Sequence, residues 1–235
     1  MAVFGVAFKL SGVGYDDVVA SSDNVLKAVV VPVGVTLAVF VVVTSVFGWW
    51  KPVIREQRRA VGWLMAVPII MIVALLVGVD YGNLGALDSN LIFWIGIGTA
   101  LVGLSEELMY RGLVIVSFRG SMREAHVWLW SSVAFGLLHS INALLGQSFG
   151  ATARQVFFTF LIGSGMYIAR RATGWILVPM AIHAAWDFSS FTQSGESPLG
   201  GLVQMSTVIF IVVVLVVGRR RLFDTTDDSV TGAVA

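Results

Sequence analysis

The chain has 235 residues and a net charge of +1, and it is 57% hydrophobic and 12% charged. That charged share is about half of what a water-soluble domain carries, so an ordinary soluble fold is excluded. The absence of cysteine removes disulfides and a thiol nucleophile, and the near-neutral charge carries no nucleic-acid signal.

Residues 1–24 start acidic rather than basic and lack a clean apolar core, which speaks against a signal peptide. This segment is expected at the interface or outside the membrane. Uncharged apolar runs then recur at 28–50, 60–79, 89–105, 127–138, 155–169, 172–182 and 197–218. A spanning helix needs about 17–25 mostly apolar residues. The fourth and sixth runs reach that length by continuing through His139 and His183, and Arg154 and Arg170 at the ends of the fifth can snorkel to the interfaces. The expected fold is an all-α polytopic bundle of about seven spans over 25–221, eight if residues 1–24 add a partial span. Residues 222–235 form an acidic, small-residue tail expected to be disordered.

Lys51, Arg55, Arg58, Arg59, Arg119, Arg123, Arg170, Arg171 and Arg219–Arg221 fall in alternate connections. The intervening ones hold Asp16, Asp17, Asp23, Asp80, Asp88 and Glu196, against Lys9, Lys27 and Arg154. The positive-inside rule then places the N-terminus outside and the C-terminus in the cytoplasm, as in a prokaryotic plasma membrane. Trp49, Trp50, Trp63, Trp128 and Trp130 sit near predicted helix ends as interfacial anchors, with His126 beside them. Pro32, Pro68 and Pro179 fall inside the runs and are expected to kink them.

Ionisable groups inside a membrane are costly and mark pathways or catalytic centres. The third span ends in the adjacent carboxylates Glu106 and Glu107. Glu107 and Arg111, four apart, share a helical face and can pair, whereas Glu106 is turned about 100° away and stays free to act as a base. The bland reading is a helix end emerging into water. In the fourth span Phe135 precedes His139 by one turn, and in the sixth His183 and Asp187 share a face, so that an acid can orient an imidazole. A converging Glu106, His139, His183 and Asp187 can activate water, either as a metal-free acid–base group or around Zn²⁺ held by Glu106, His139 and His183. A proton-coupled transporter would use similar residues, although no repeated halves are visible. A retinal protein is disfavoured, because the last span has no lysine.

Glu106-Glu107-x-x-x-Arg111, Phe135-x-x-x-His139 and His183-x-x-x-Asp187 together resemble the three signatures of the CPBP family, the CaaX-protease and bacteriocin-processing intramembrane proteases, over about residues 90–190. The resemblance implies a glutamate-dependent endopeptidase acting on a peptide or membrane-protein substrate, with the lipid bilayer as its other partner. Glu106 would activate water, and His139 and His183 would flank the scissile carbonyl. Asp187 would orient His183 or support a metal, and Glu107, Arg111 and Phe135 would support the site. Some members are thought to be non-catalytic scaffold or immunity-type proteins. Counting 1.5 Å per residue from Ser89, Glu106 lies about 25 Å in, while His139 lies about 18 Å from the cytoplasmic end of its own span. Convergence therefore calls for tilt, a kink near Gly103 or a later start to the fourth helix, and the cavity is expected to open to the cytoplasm.

Overall fold

A computed structural model describes residues 2–195 and 198–223, and no strand occurs among them. The helices are α1 (Ala2–Leu10), α2 (Ser22–Val46), α3 (Trp50–Ile54), α4 (Trp63–Gly78), α5 (Tyr81–Ala86), α6 (Ser89–Arg119), α7 (Glu124–Leu138), α8 (Ile141–Leu145), α9 (Phe149–Thr173), α10 (Leu177–Phe191), α11 (Pro198–Val217) and α12 (Arg219–Phe223). Each of the seven apolar runs lies in or overlaps one of the helices α2, α4, α6, α7, α9, α10 and α11. Four stretches, Ser22–Val46, Ser89–Arg119, Glu124–Leu145 and Leu199–Val217, are long and apolar enough to cross a membrane, and α4 is a shorter apolar helix. Large apolar side chains stand outward along these helices, among them Val35, Val39 and Val42 on α2 and Ile209, Val213 and Val216 on α11. Bare apolar surface of that extent suits lipid and not water. The chain is an all-α integral membrane protein.

Several boundaries differ from the sequence reading. The third helix does not stop at the twin carboxylates. It continues through a π-helical turn at Leu108–Val114 to Arg119. The run at 172–182 is split by Gly174, whose positive φ of 84° ends α9, so α10 begins afresh at Leu177. Pro179 therefore sits in the first turn of α10, where a missing N–H costs nothing, and it does not bend the helix before His183. Pro68 likewise falls in the first α-helical turn of α4. Leu222 and Phe223, assigned to the tail, belong to α12, and the rest of that segment lies outside the described residues.

The two ends of the bundle are tied differently. At the N-terminal end, Asn90 donates to the Ser22 hydroxyl at 2.9 Å and Ser194 donates to Asp80 at 2.7 Å. Asp80 also caps α5 by accepting from the Asn83 N–H, and these bonds hold its carboxyl below the usual range. At the opposite end the basic connections close into a buried plate. Glu56 accepts from Arg119 at 2.7 Å and Arg170 at 2.9 Å, and Glu124 accepts from Arg119, Arg58 at 3.1 Å and Tyr167 at 2.6 Å. Arg171 lies 2.8 Å from Glu124 and donates to the Leu222 carbonyl at 3.1 Å. Much of the arginine excess read as a topogenic signal is thus also structural, and Glu56 and Glu124, which the sequence reading did not single out, are its counter-charges.

The tightest helix contact positions the site. A Cβ on Gly103 of α6 would lie 2.7 Å from the Met180 carbonyl oxygen and 2.8 Å from the Ala184 N of α10, so the two backbones touch there. Backbone atoms cannot step aside as a flexible side chain can. Replacing Gly103 with Ala is expected to cost about 1–3 kcal/mol by overpacking, read as a lower unfolding midpoint in detergent. Gly34→Ala, where nothing lies within 4 Å, should leave the midpoint unchanged.

Candidate active site

Three turns of helix converge just beyond the Gly103 contact. Glu107 is wholly buried on α6, and its Oε1 accepts from Arg111 Nη1 at 2.9 Å and lies 2.8 Å from Nδ1 of His183 on α10. A carboxylate only accepts, so Nδ1 of His183 carries the proton and Nε2 is its working atom. Arg111, one turn into the π-helical segment, also donates through Nη2 to the Gly163 carbonyl of α9 at 2.8 Å. Its guanidinium lies 4.1 Å from the ring centroid of Phe135, on α7. A Cβ at Gly163 would come within 2.7 Å of Arg111 Nη2 and of the Phe135 ring, so glycine makes the room that lets the arginine reach α9.

On its other side His183 faces two more acids. Nε2 is 3.8 Å from Glu106 Oε2 and 3.5 Å from Asp187 Oδ2. Phe135 stands edge-on to both imidazoles, with centroids 5.3 Å from His139 and 5.6 Å from His183, which brings the two histidines to one phenyl ring. His139 caps α7 and donates from Nδ1 to the Phe135 carbonyl at 3.2 Å, leaving its Nε2 for chemistry. All seven residues singled out in the sequence therefore lie in one neighbourhood.

The depth mismatch disappears once α6 runs to Arg119. Counted from the basic end, Glu106 is 13 residues from Arg119 and His139 is 15 from Glu124, or about 20 and 22 Å at the helical rise. Neither a kink nor a later start is required, and α7 begins earlier than expected.

The twin carboxylates differ in access. The side chains of Glu107 and Arg111 are 0% and 1% exposed, whereas those of Glu106 and Asp187 are 20% and 26% exposed. Glu106, His139 and Asp187 line a cavity of about 250 Å³, together with Ser105, Asn142, Gln155 and side chains of the N-terminal segment such as Phe4, Phe8 and Tyr15. A second cavity of about 250 Å³ lies against His183, Phe158, Met166 and Trp186, and His139, Gln155, Asp187 and Phe191 border both. None of the basic-end residues Arg58, Arg119, Glu124, Arg170 and Arg171 lines the first cavity. Its lining beside the C-terminal turns of α7 and α10, at Leu138, His139, Asp187 and Phe191, is completed by Phe4, Phe8, Tyr15, Asp16, Val18 and Val19 of the N-terminal segment. Sequence reasoning missed this role of the N-terminal segment, and also the Glu107–His183 bond, because neither leaves a local motif.

Zinc held by Glu106, His139 and His183 fits poorly. Both histidines keep Nε2 free with Nδ1 held by an oxygen, which suits a ligand as well as an acid–base group, but no group of three or more His, Asp or Glu side chains among the described residues is arranged to hold a metal ion. No step below is routed through a metal.

Residues 88–189, from the start of α6 to the end region of α10, match the family model described as type II CAAX prenyl endopeptidase Rce1-like. The chain thus carries an Rce1-like domain, consistent with a CPBP-family intramembrane protease, and this supports endopeptidase activity in a membrane in general terms. No curated protein and no solved structure matches the chain.

Removing one partner of a buried ion pair costs about 3–5 kcal/mol. Glu107→Gln leaves Arg111 without its counter-charge and should lower thermal stability and yield by that order, while Glu106→Gln, on the cavity wall, should leave both near wild type. Unfolding curves of the two purified variants measured side by side test the difference.

Proposed function

We propose, for a chain that carries an Rce1-like domain across α6 to α10, a glutamate-dependent intramembrane endopeptidase in which Glu106 activates the attacking water. The observation that carries this reading is the asymmetry of the adjacent acids. Glu107 is sealed off with its Oε1 spent on Arg111 and His183, whereas Glu106 borders the cavity and is 20% exposed. A carboxylate in that position can accept a proton.

Glu106 takes a proton from water as the oxygen attacks the scissile carbonyl carbon, so that the new C–O bond forms and the carbonyl oxygen becomes an oxyanion. His139 and His183 present Nε2 near this point, and in the protonated form each donates to the oxyanion. Glu107 fixes the His183 ring through Nδ1, and Asp187 steadies the imidazolium from the Nε2 side. Collapse of the intermediate breaks the C–N bond, and Glu106 returns its proton to the leaving amine. An ionised Asp187 accepts and does not donate, and oxyanion stabilisation then falls to the histidines. The substrate is a peptide or a membrane-protein segment. Residues 25–221 act as one catalytic bundle, with the N-terminus outside and the C-terminus in the cytoplasm of a prokaryotic cell.

Glu106→Gln, His139→Ala and His183→Ala are each expected to reduce cleavage of membrane-associated peptides to background while the proteins still purify as folded monodisperse species. A Glu106→Gln protein that cleaves at the wild-type rate would overturn the mechanism. Unchanged activity after exhaustive chelation is expected, and its loss with restoration by Zn²⁺ would replace the metal-free version. Proton flux in proteoliposomes without peptide cleavage would favour a transporter.

A further inference from the structure

The rim of the cavity that reaches Glu106 belongs to one end of the bundle. Asp16, exposed, and Tyr15 border it, and Phe4 and Phe8 of α1 form part of its roof. These residues precede α2, whose first residue Ser22 is bonded to Asn90 at the start of α6, so the rim lies at the end that also bears Asp17, Asp23, Asp80 and Asp88. Toward the other end the site is backed by the apolar cluster of Val53, Leu108, Ile176 and Met180. Beyond it lies the plate of Glu56, Glu124 and their arginines, about 20 Å from Glu106 along α6. Neither cavity that touches His139 and Asp187 includes a lysine or arginine among its described lining residues.

We infer that the chamber is entered from the acidic, N-terminal face. Its substrate is then a peptide segment presented on the non-cytoplasmic side of the membrane, apolar where it passes Phe4, Phe8 and Phe191. The inference rests on the peptidase reading and on the orientation that the positive-inside rule gives the basic connections. A segment arriving from the basic face would have to part a sealed core and buried ion pairs. One arriving from the acidic face meets only the short helix α1 and residues 11–20.

The absence of native cysteine makes the entry face directly measurable. Single-cysteine variants Asp16→Cys at the rim, Asn142→Cys in the chamber and Ser121→Cys in the α6–α7 connection are treated with a charged, membrane-impermeant thiol reagent, in intact cells and after permeabilisation. Val102→Cys, also on the chamber wall, stands in if Asn142→Cys does not fold. Labelling of positions 16 and 142 in intact cells, with position 121 labelled only after permeabilisation, is the expected result. Position 142 reacting only after permeabilisation, or from neither side, overturns the inference, as does position 121 reacting in intact cells. Outside labelling of the chamber in a protein without Glu106-dependent cleavage would sink the peptidase reading while upholding the entry face.

Discussion

A carboxylate with no access to solvent organises this protein. Glu107 binds Arg111 on its own helix and His183 on α10, and Arg111 in turn holds the Gly163 carbonyl of α9 and rests on Phe135 of α7. Four helices are thereby fixed around one charge. In hydrocarbon, each of these groups would be prohibitive alone, since an isolated buried charge costs several kcal/mol. Their mutual satisfaction is what permits the reactive groups to sit part-way across a membrane. The small residues at Gly103 and Gly163 belong to the same device, because they let the backbones close in far enough for the hydrogen bonds to form.

Identical neighbours in sequence acquire opposite properties through this arrangement. The helical repeat turns Glu106 away from Glu107 by about 100°. One acid is consumed in cohesion, and the other is left on a cavity wall beside two imidazoles. Asp187 and His139 share that intermediate exposure, while His183 links the sealed and the open halves, with one ring nitrogen committed to each.

The spans were legible because lipid imposes a simple rule, twenty or so apolar residues without charge, and each run yielded a helix. The pairing of Glu107 with Arg111 and the proximity of His183 to Asp187 were legible too, since both follow from an interval of four. What escaped was anything decided by distant partners or by where a helix stops. Glu56 and Glu124 resemble ordinary loop acids until the arginines of three other segments surround them. The continuation of α6 past Glu107 was hidden by the charges at 106, 107 and 111, which mimic an emerging helix end. Only Gly174, Trp175 and Ile176 separate α9 from α10, and a single glycine within an apolar run does not announce a turn. The part that residues 4–19 play in lining the first cavity was not legible either, because no interval within that segment ties it to the site residues.

The arginine plate also bears on biogenesis. Arg171 donates to the Leu222 carbonyl, so part of the seal at the basic face waits until α12, which follows every helix of the site in the chain, has been made. Until then, the Arg171 guanidinium has Glu124 and Tyr167 but lacks this last acceptor. That bond can form only after α12 has emerged, which makes a five-residue helix a late fastening for the whole basic face.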